Sequence, residues 1–157
     1  MKRQRGMVLL LALVLSLLLG LLAASALRDA LLETRMAGYL GEGLQAFDQA
    51  EATLLVAEAE LQRAPPGLCQ ACLPPPRAHD LLGQWQASES GYFQLQNLGL
   101  TTRAAHRPRD EPVMLYRVTA VSRQLAARQV LEAVYAMPAA QTQAPQRILW
   151  RQRLRED

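Results

Sequence analysis

The chain has few of the residues that usually carry chemistry. Among its 157 residues are two histidines and two cysteines. His79 and His106 have no acidic partners placed to make a catalytic triad, and each reads as a surface residue. No serine sits in a Gly-x-Ser-x-Gly elbow, and no glycine-rich phosphate loop is present. These absences argue against an enzyme, and no cofactor is implied. Zinc usually takes four ligands, and neither histidine lies at finger spacing from the cysteines, so no metal site is expected. Asp110-Glu111 could offer calcium two adjacent carboxylates, a weak set for an ion that takes six or more oxygens.

Two further absences organise the chain. No charged residue occurs from Met7 to Leu27, and no proline occurs before Pro65. At about 1.5 Å per residue, the uncharged run forms a helix of roughly 30 Å, the thickness of a bilayer's hydrocarbon core. Lys2, Arg3 and Arg5 precede it, which predicts a cytoplasmic N-terminus and a chain that continues on the far side of the membrane. The run admits three readings. One is a plain single-pass anchor. Another is a secretory signal peptide with a small-residue site at Ala24-Ser25-Ala26. The third is a short basic leader cut after Gly6 on the cytoplasmic side, with the apolar run retained.

The next stretch of chain favours retention. Arg28 to Arg63 is rich in Ala, Leu, Glu, Gln and Arg, all good helix formers. Leu32, Met36, Leu40, Leu44, Phe47, Ala50, Leu54, Ala57 and Leu61 recur at steps of three and four, which predicts one apolar stripe. Arg28, Glu33, Glu42, Gln45, Gln49, Glu51, Glu58 and Glu60 supply the other face. The apolar and amphipathic runs therefore read as one helix of nearly sixty residues, which cleavage after Ala26 would cut in its middle.

At this point a family resemblance becomes specific. Gln4-Arg5-Gly6-Met7-Val8-Leu9-Leu10, Ala26-Leu27-Arg28, Glu33-Thr34-Arg35-Met36-Ala37-Gly38 and Gln45-Ala46-Phe47-Asp48-Gln49-Ala50-Glu51-Ala52 resemble the N-terminal region of the PilX family of type IV pilus minor pilins. Val130 to Ala136 and Ile148 to Gln152 resemble that family's tail. The resemblance implies an α+β, type IV pilin-like fold, with a long N-terminal helix packed on a small antiparallel sheet. It implies a prepilin leader at 1–6, a transmembrane assembly helix at 7–27, an amphipathic continuation at 28–64 and a periplasmic β-rich domain at 65–157. Prepilin peptidase would cut between Gly6 and Met7 and methylate Met7.

Major pilins carry a glutamate as the fifth mature residue, which helps seat an incoming subunit; here that position is Leu11. A buried carboxylate in hydrocarbon needs a partner, and a subunit without one suits a tip position with nothing ahead of it. Gly20 would let the helix loosen when packed in a fibre. The implied function is a minor pilin that primes pilus assembly in the inner membrane and stays at the tip, where surface adhesion and twitching motility depend on it. Implied partners are other minor pilins, the major pilin, the peptidase and membrane lipid. The alternatives are a minor pseudopilin of type II secretion and a membrane-anchored or secreted periplasmic binding domain.

Composition does not point to nucleic acid. The formal charge is +3, and three of the positive residues lie in the first six, so the remainder balances. The basic tail from Arg147 to Arg155 reads as an edge strand with solvated arginines. The breaker clusters Ala64-Pro65-Pro66-Gly67 and Leu73-Pro74-Pro75-Pro76 read as a stiff connector. Between them, Cys69-Gln70-Ala71-Cys72 suits zinc, thiol exchange or a small disulfide; the prolines beside it and an oxidising compartment favour a structural disulfide that stiffens a turn. Beyond lie a short helix or loop at His79 to Gln86 anchored by Trp85, and a strand at Gly91 to Gln96 ended by Asn97-Leu98-Gly99. An exposed loop spans Thr101 to Glu111, with strands at Val113 to Val121, Arg128 to Met137 and Ile148 to Arg153. Three or four strands are expected to bury one face against the helix stripe.

Overall fold

The computed structural model of the chain describes residues 3–70, 72–138 and 144–155. It is an α+β structure. One helix, α1, runs without interruption over Arg3–Arg63, and five antiparallel strands succeed it in a meander: β1 Gln86–Ala87, β2 Gly91–Thr101, β3 Val113–Ser122, β4 Val130–Pro138 and β5 Gln146–Arg153. The chain divides into two compact units, Met1–Gly41 and Glu42–Asp157. The division falls inside α1, not at its end, where Pro65 suggests a domain boundary.

Within the second unit, α1 lies on one face of the sheet. Ala46, Ala50, Leu54, Ala57 and Leu61 are buried, at the three- and four-residue steps of one helical stripe. Leu54, Ala57 and Leu61 meet Phe93 from β2, Tyr116, Val118 and Ala120 from β3, and Ala133, Tyr135 and Met137 from β4. Each large side chain so buried contributes about 1.5–3 kcal/mol. The packed stripe starts only at Ala46. Leu32, Met36, Leu40 and Leu44, expected to belong to it, are 46–70 % exposed, because they precede the stretch of helix that the sheet covers. At the other end Ala64 donates to the Glu60 carbonyl, and Pro65 then stops the helix, having no N–H to continue it.

Helix and sheet approach closely at the start of β2. A Cβ on Gly91 would stand 2.0 Å from the Val121 carbonyl oxygen and 2.7 Å from the Thr53 hydroxyl. Thr53, fully buried, donates to the Gln49 carbonyl at 2.8 Å. Further along, β2 does not stop at Asn97-Leu98-Gly99. The pairing register shifts between Asn97 and Gly99, and the strand continues to Thr101. Gly99 adopts φ +99°, and its amide donates to the Asn97 side chain at 2.9 Å. The residues that read as a turn form a bulge.

The other face of the sheet is also covered, which the sequence pattern does not reveal. Residues 65–70 and 72–85 fold back as a strap over it. Ala78 is buried with Val121 and Val130, and Leu81 and Trp85 pack against them. Among its described residues the strap has one helical piece, a 3-10 turn, Ala78–Asp80. The rest has no regular structure, and donors from the sheet hold its carbonyls. Asn97 reaches Pro66 at 3.0 Å, Arg117 reaches Cys72 at 2.9 Å and Gln96 reaches Leu73 at 2.9 Å. Arg153 reaches Pro75 at 3.0 Å and Arg128 reaches His79 at 2.7 Å. A proline-rich segment offers carbonyls but few N–H groups, and arginine offers donors only.

The arginines converge on one carboxylate. Glu132 on β4 is 2 % exposed and accepts from Arg151 at 2.7 Å, with Arg117 and Arg153 each at 3.8 Å. β5 is an edge strand as expected, but Arg151 and Arg153 are not simply solvated: they turn back over the outer face toward Glu132. Removing one partner of a buried ion pair costs about 3–5 kcal/mol because the rest is left uncompensated. Glu132→Gln is therefore expected to cost about 3–4 kcal/mol in denaturant unfolding of the full chain. Arg151→Gln, half-exposed and backed by two other arginines, is expected to cost about 1 kcal/mol. Equal costs would mean that Glu132 is not the centre of the cluster.

A second polar contact joins the layers. The Tyr135 hydroxyl donates to Glu58 on α1 at 3.0 Å. Burial raises the phenol's pKa above its usual value, and the Glu58 charge adds to this. The folded state thus holds this proton more tightly than the unfolded chain does. The resulting stability is fully present below the unfolded value near 10 and is lost as pH rises beyond it. Thermal unfolding midpoints should fall above pH 10, and Tyr135→Phe should make that fall shallower while lowering stability at pH 7 by about 1 kcal/mol.

Candidate functional site

The prominent candidate is the exposed part of α1. From Met7 to Leu22 every leucine, valine and methionine is 46–76 % exposed. The segment is continuous α-helix, so its main-chain groups bond one another and need no solvent. Its hydroxyls are satisfied in the same way: Ser16 donates to the Leu13 carbonyl and Ser25 to the Leu22 carbonyl, each at 2.9 Å. A helix whose polar groups are all paired internally can enter hydrocarbon at little cost. By length and composition this helix can cross a membrane.

The residues singled out for processing and assembly lie along this helix. Gly6 and Met7 are within it, Met7 with 76 % of its surface exposed. Leu11 is 71 % exposed; with no carboxylate from Met7 to Leu27, the run presents hydrocarbon only. Gly20 is in regular helix, and a Cβ there would meet nothing within 4 Å. The exposed apolar surface extends past Leu27 through Leu31, Leu32, Met36, Tyr39, Leu40 and Leu44, with Arg28, Asp29, Glu33, Arg35 and Glu42 interspersed. Thr34 donates to the Ala30 carbonyl at 2.8 Å.

The other candidates lie in the second unit. Cys69 and Cys72 are joined in a disulfide, with Cα atoms 5.5 Å apart. The ring spans four residues and so removes little chain entropy. Its place matters more than its size. The Cys69 amide donates to the Asn97 carbonyl at 3.1 Å, Leu68 bridges to Asn97, and the Cys72 carbonyl is held by Arg117. The disulfide thus sits where the strap crosses from α1 to the outer face. Neither histidine approaches it closely enough to form a ligand set, and no group of three potential metal ligands converges among the described residues.

The loop from Thr101 to Glu111 joins β2 to β3 around an open hollow of about 470 Å³ lined by Arg103, Arg107, Arg109 and Asp110. Arg107 pairs with Glu111 and reaches Gln146 at 3.3 Å. Glu111 is therefore engaged by a guanidinium and does not join Asp110 as an oxygen pair for calcium. His79 lies in the strap, where burial, then the charges of Arg155 and Arg153, lower its pKa. Sequence reasoning missed Glu132, Arg117, Arg128 and Gln96. The one signal for Glu132 was a carboxylate between apolar neighbours on a strand.

The membrane capacity of α1 can be tested against magnitudes. Eleven leucines and two valines lie in the run from Met7 to Leu27, together favouring insertion by on the order of 5 kcal/mol, while one central arginine costs about 3. Leu17→Arg alone should therefore leave the chain in the membrane fraction after alkaline extraction, and Leu13→Arg with Leu17→Arg should release it. Release of the wild-type chain would exclude a spanning helix.

Comparison with protein-family models, with curated proteins and with solved structures returns no match to this chain.

Proposed function

We propose that this protein is a type IV pilin-like minor subunit of the PilX kind, which primes pilus assembly in the inner membrane and remains at the pilus tip. One observation carries the reading: α1 is a single helix, unbroken from Arg3 to Arg63. From Met7 to Leu27 it is uncharged and exposed, and its last part is the packing partner of a small antiparallel sheet. A secretory signal peptide is cut away from the mature chain. Here removal at Ala26 would sever a regular helix. A subunit that keeps the apolar half, and uses it first in lipid and then among the helices of neighbouring subunits, needs this continuity.

In this reading prepilin peptidase cuts between Gly6 and Met7 and methylates Met7. Lys2, Arg3 and Arg5 keep the leader on the cytoplasmic side, where the peptidase works. The sheet and strap lie in the periplasm before assembly, where the Cys69–Cys72 disulfide is stable. Leu11 supplies no charge for a subunit above it to satisfy, which supports a place at the tip. The partners are other minor pilins and the major pilin, met through the apolar part of α1.

The test is the N-terminus and intact mass of the protein isolated from membranes of a cell that carries a prepilin peptidase. A chain beginning at methylated Met7 is expected, together with loss of most surface pili when the gene is deleted. A chain beginning at Leu27 would mean ordinary secretion, and an uncut chain a plain anchored domain; either would overturn the assembly role. Methylated Met7 with normal piliation and impaired protein secretion would assign the subunit to a type II secretion machine.

A further inference from the structure

The two edges of the sheet are treated differently. The outer edge of β2 is covered at one end by β1, paired through Gln86 and Ala87, and at the other by Leu68, bridged to Asn97. The outer edge of β5 has no such cover. β5 pairs with β4 on one side only, and among the described residues no group bonds the backbone of 146–152 from the other side. The strand spans eight residues, Gln146–Arg153, without proline or glycine, and its pairing with β4 shifts register once, between Val134 and Tyr135. Leu149 and Trp150 on it are 48 % and 41 % exposed. Soluble proteins usually guard such an edge with charged side chains, prolines or bulges.

Two of the three arginines on β5 do not act as a guard. Arg151 and Arg153 are drawn back across the outer face of β4 to Glu132, which takes both guanidinium groups off the edge and leaves its N–H and C=O groups accessible. Their charge nevertheless remains close by. Glu132 is one carboxylate facing Arg117, Arg151 and Arg153, Asp80 answers Arg155, and Arg147 stands on the same strand. The edge is therefore open in its hydrogen bonding and positive in its field.

The geometry points to β5 as an acceptor for an added strand: an extended, acidic segment of another protein pairs along its outer edge as a sixth strand. Main-chain bonds would supply affinity. Apolar residues at alternate positions of the segment would cover Trp150 and the Phe47 ring packed edge-on against it at 6.2 Å, and a carboxylate at an intervening position would answer Arg151, which lies across from Glu132. A second copy of this chain fits poorly, because antiparallel pairing of two β5 strands would set arginines against arginines, and like charges directly opposite are destabilising.

The test uses the full-length chain in detergent micelles and a capped peptide of about ten residues that alternates glutamate with valine. Amide hydrogen exchange across β5 is read by nuclear magnetic resonance. With saturating peptide, the outward amides of β5 should exchange at least about tenfold more slowly. The same peptide N-methylated at alternate residues, which cannot pair, should give no protection, and a version with lysine for glutamate should bind at least about tenfold more weakly. Protection that survives N-methylation would overturn the proposal, as would equal binding of the lysine peptide or protection confined to the Thr101–Glu111 loop. Outward β5 amides already slow in the free chain, with a dimer mass by sedimentation, would assign the edge to a second copy instead.

Discussion

The second unit is organised around one buried carboxylate. Glu132 gives three arginines a common counter-charge on the outer face of the sheet. Two of them, Arg117 and Arg153, use their remaining donors to hold the carbonyls of Cys72 and Pro75. Those carbonyls belong to a segment that pairs with itself only around its 3-10 turn among the described residues, and Pro65, Pro66, Pro74, Pro75 and Pro76 provide no N–H. A strap with more carbonyls than N–H groups is matched to arginines, which only donate. Glu132 makes so many donors tolerable in a dry place, since unpaired buried guanidinium groups would otherwise cost several kcal/mol. The sheet thereby acquires a second covered face without a second helix.

Helix α1 solves a different problem with the same backbone. Its last turns present a narrow stripe of Ala and Leu to the sheet, with small residues at Ala46, Ala50 and Ala57 and larger ones at Leu54 and Leu61. Its first turns are apolar on every side. A helix apolar all round is stable only among other apolar groups, while a striped one is stable against one partner with water opposite. Between these regimes, Arg28 to Leu44 mixes exposed leucines with charges of both signs. There the helix changes from one pattern to the other.

Much of this is legible in the sequence. The helix is visible from its spacing and from the lack of proline before Pro65, and β3 from its run of Val, Leu, Tyr and Thr. The strands beyond Gly91 can be placed within a few residues. The candidate positions Gly6, Met7, Leu11 and Gly20 fall on regular helix. What cannot be read has a common cause: it depends on residues far apart in the chain. Glu132 lies 15 to 21 residues from its three arginines, and no local period connects them. The proline clusters read as a linker because proline breaks pattern, and pattern does not reveal that a segment is held by other elements. Asn97-Leu98-Gly99 carries the residues of a turn, but continued pairing with β3 makes it a bulge. Periodicity alone carries the stripe back to Leu32, because it does not say where the sheet ends.

The strap also orders events in time. The five strands are neighbours in sequence and in space, so the hairpins form from local contacts and require little loop closure. The strap precedes all of them in the chain, yet its holding groups come from β2, from β3, from the turn before β4 and from β5. Its grip on Pro75 waits for Arg153 at the far end of the last strand. The segment that leaves α1 first is therefore among the last to settle, and the domain closes over its own beginning only when its final strand is in place.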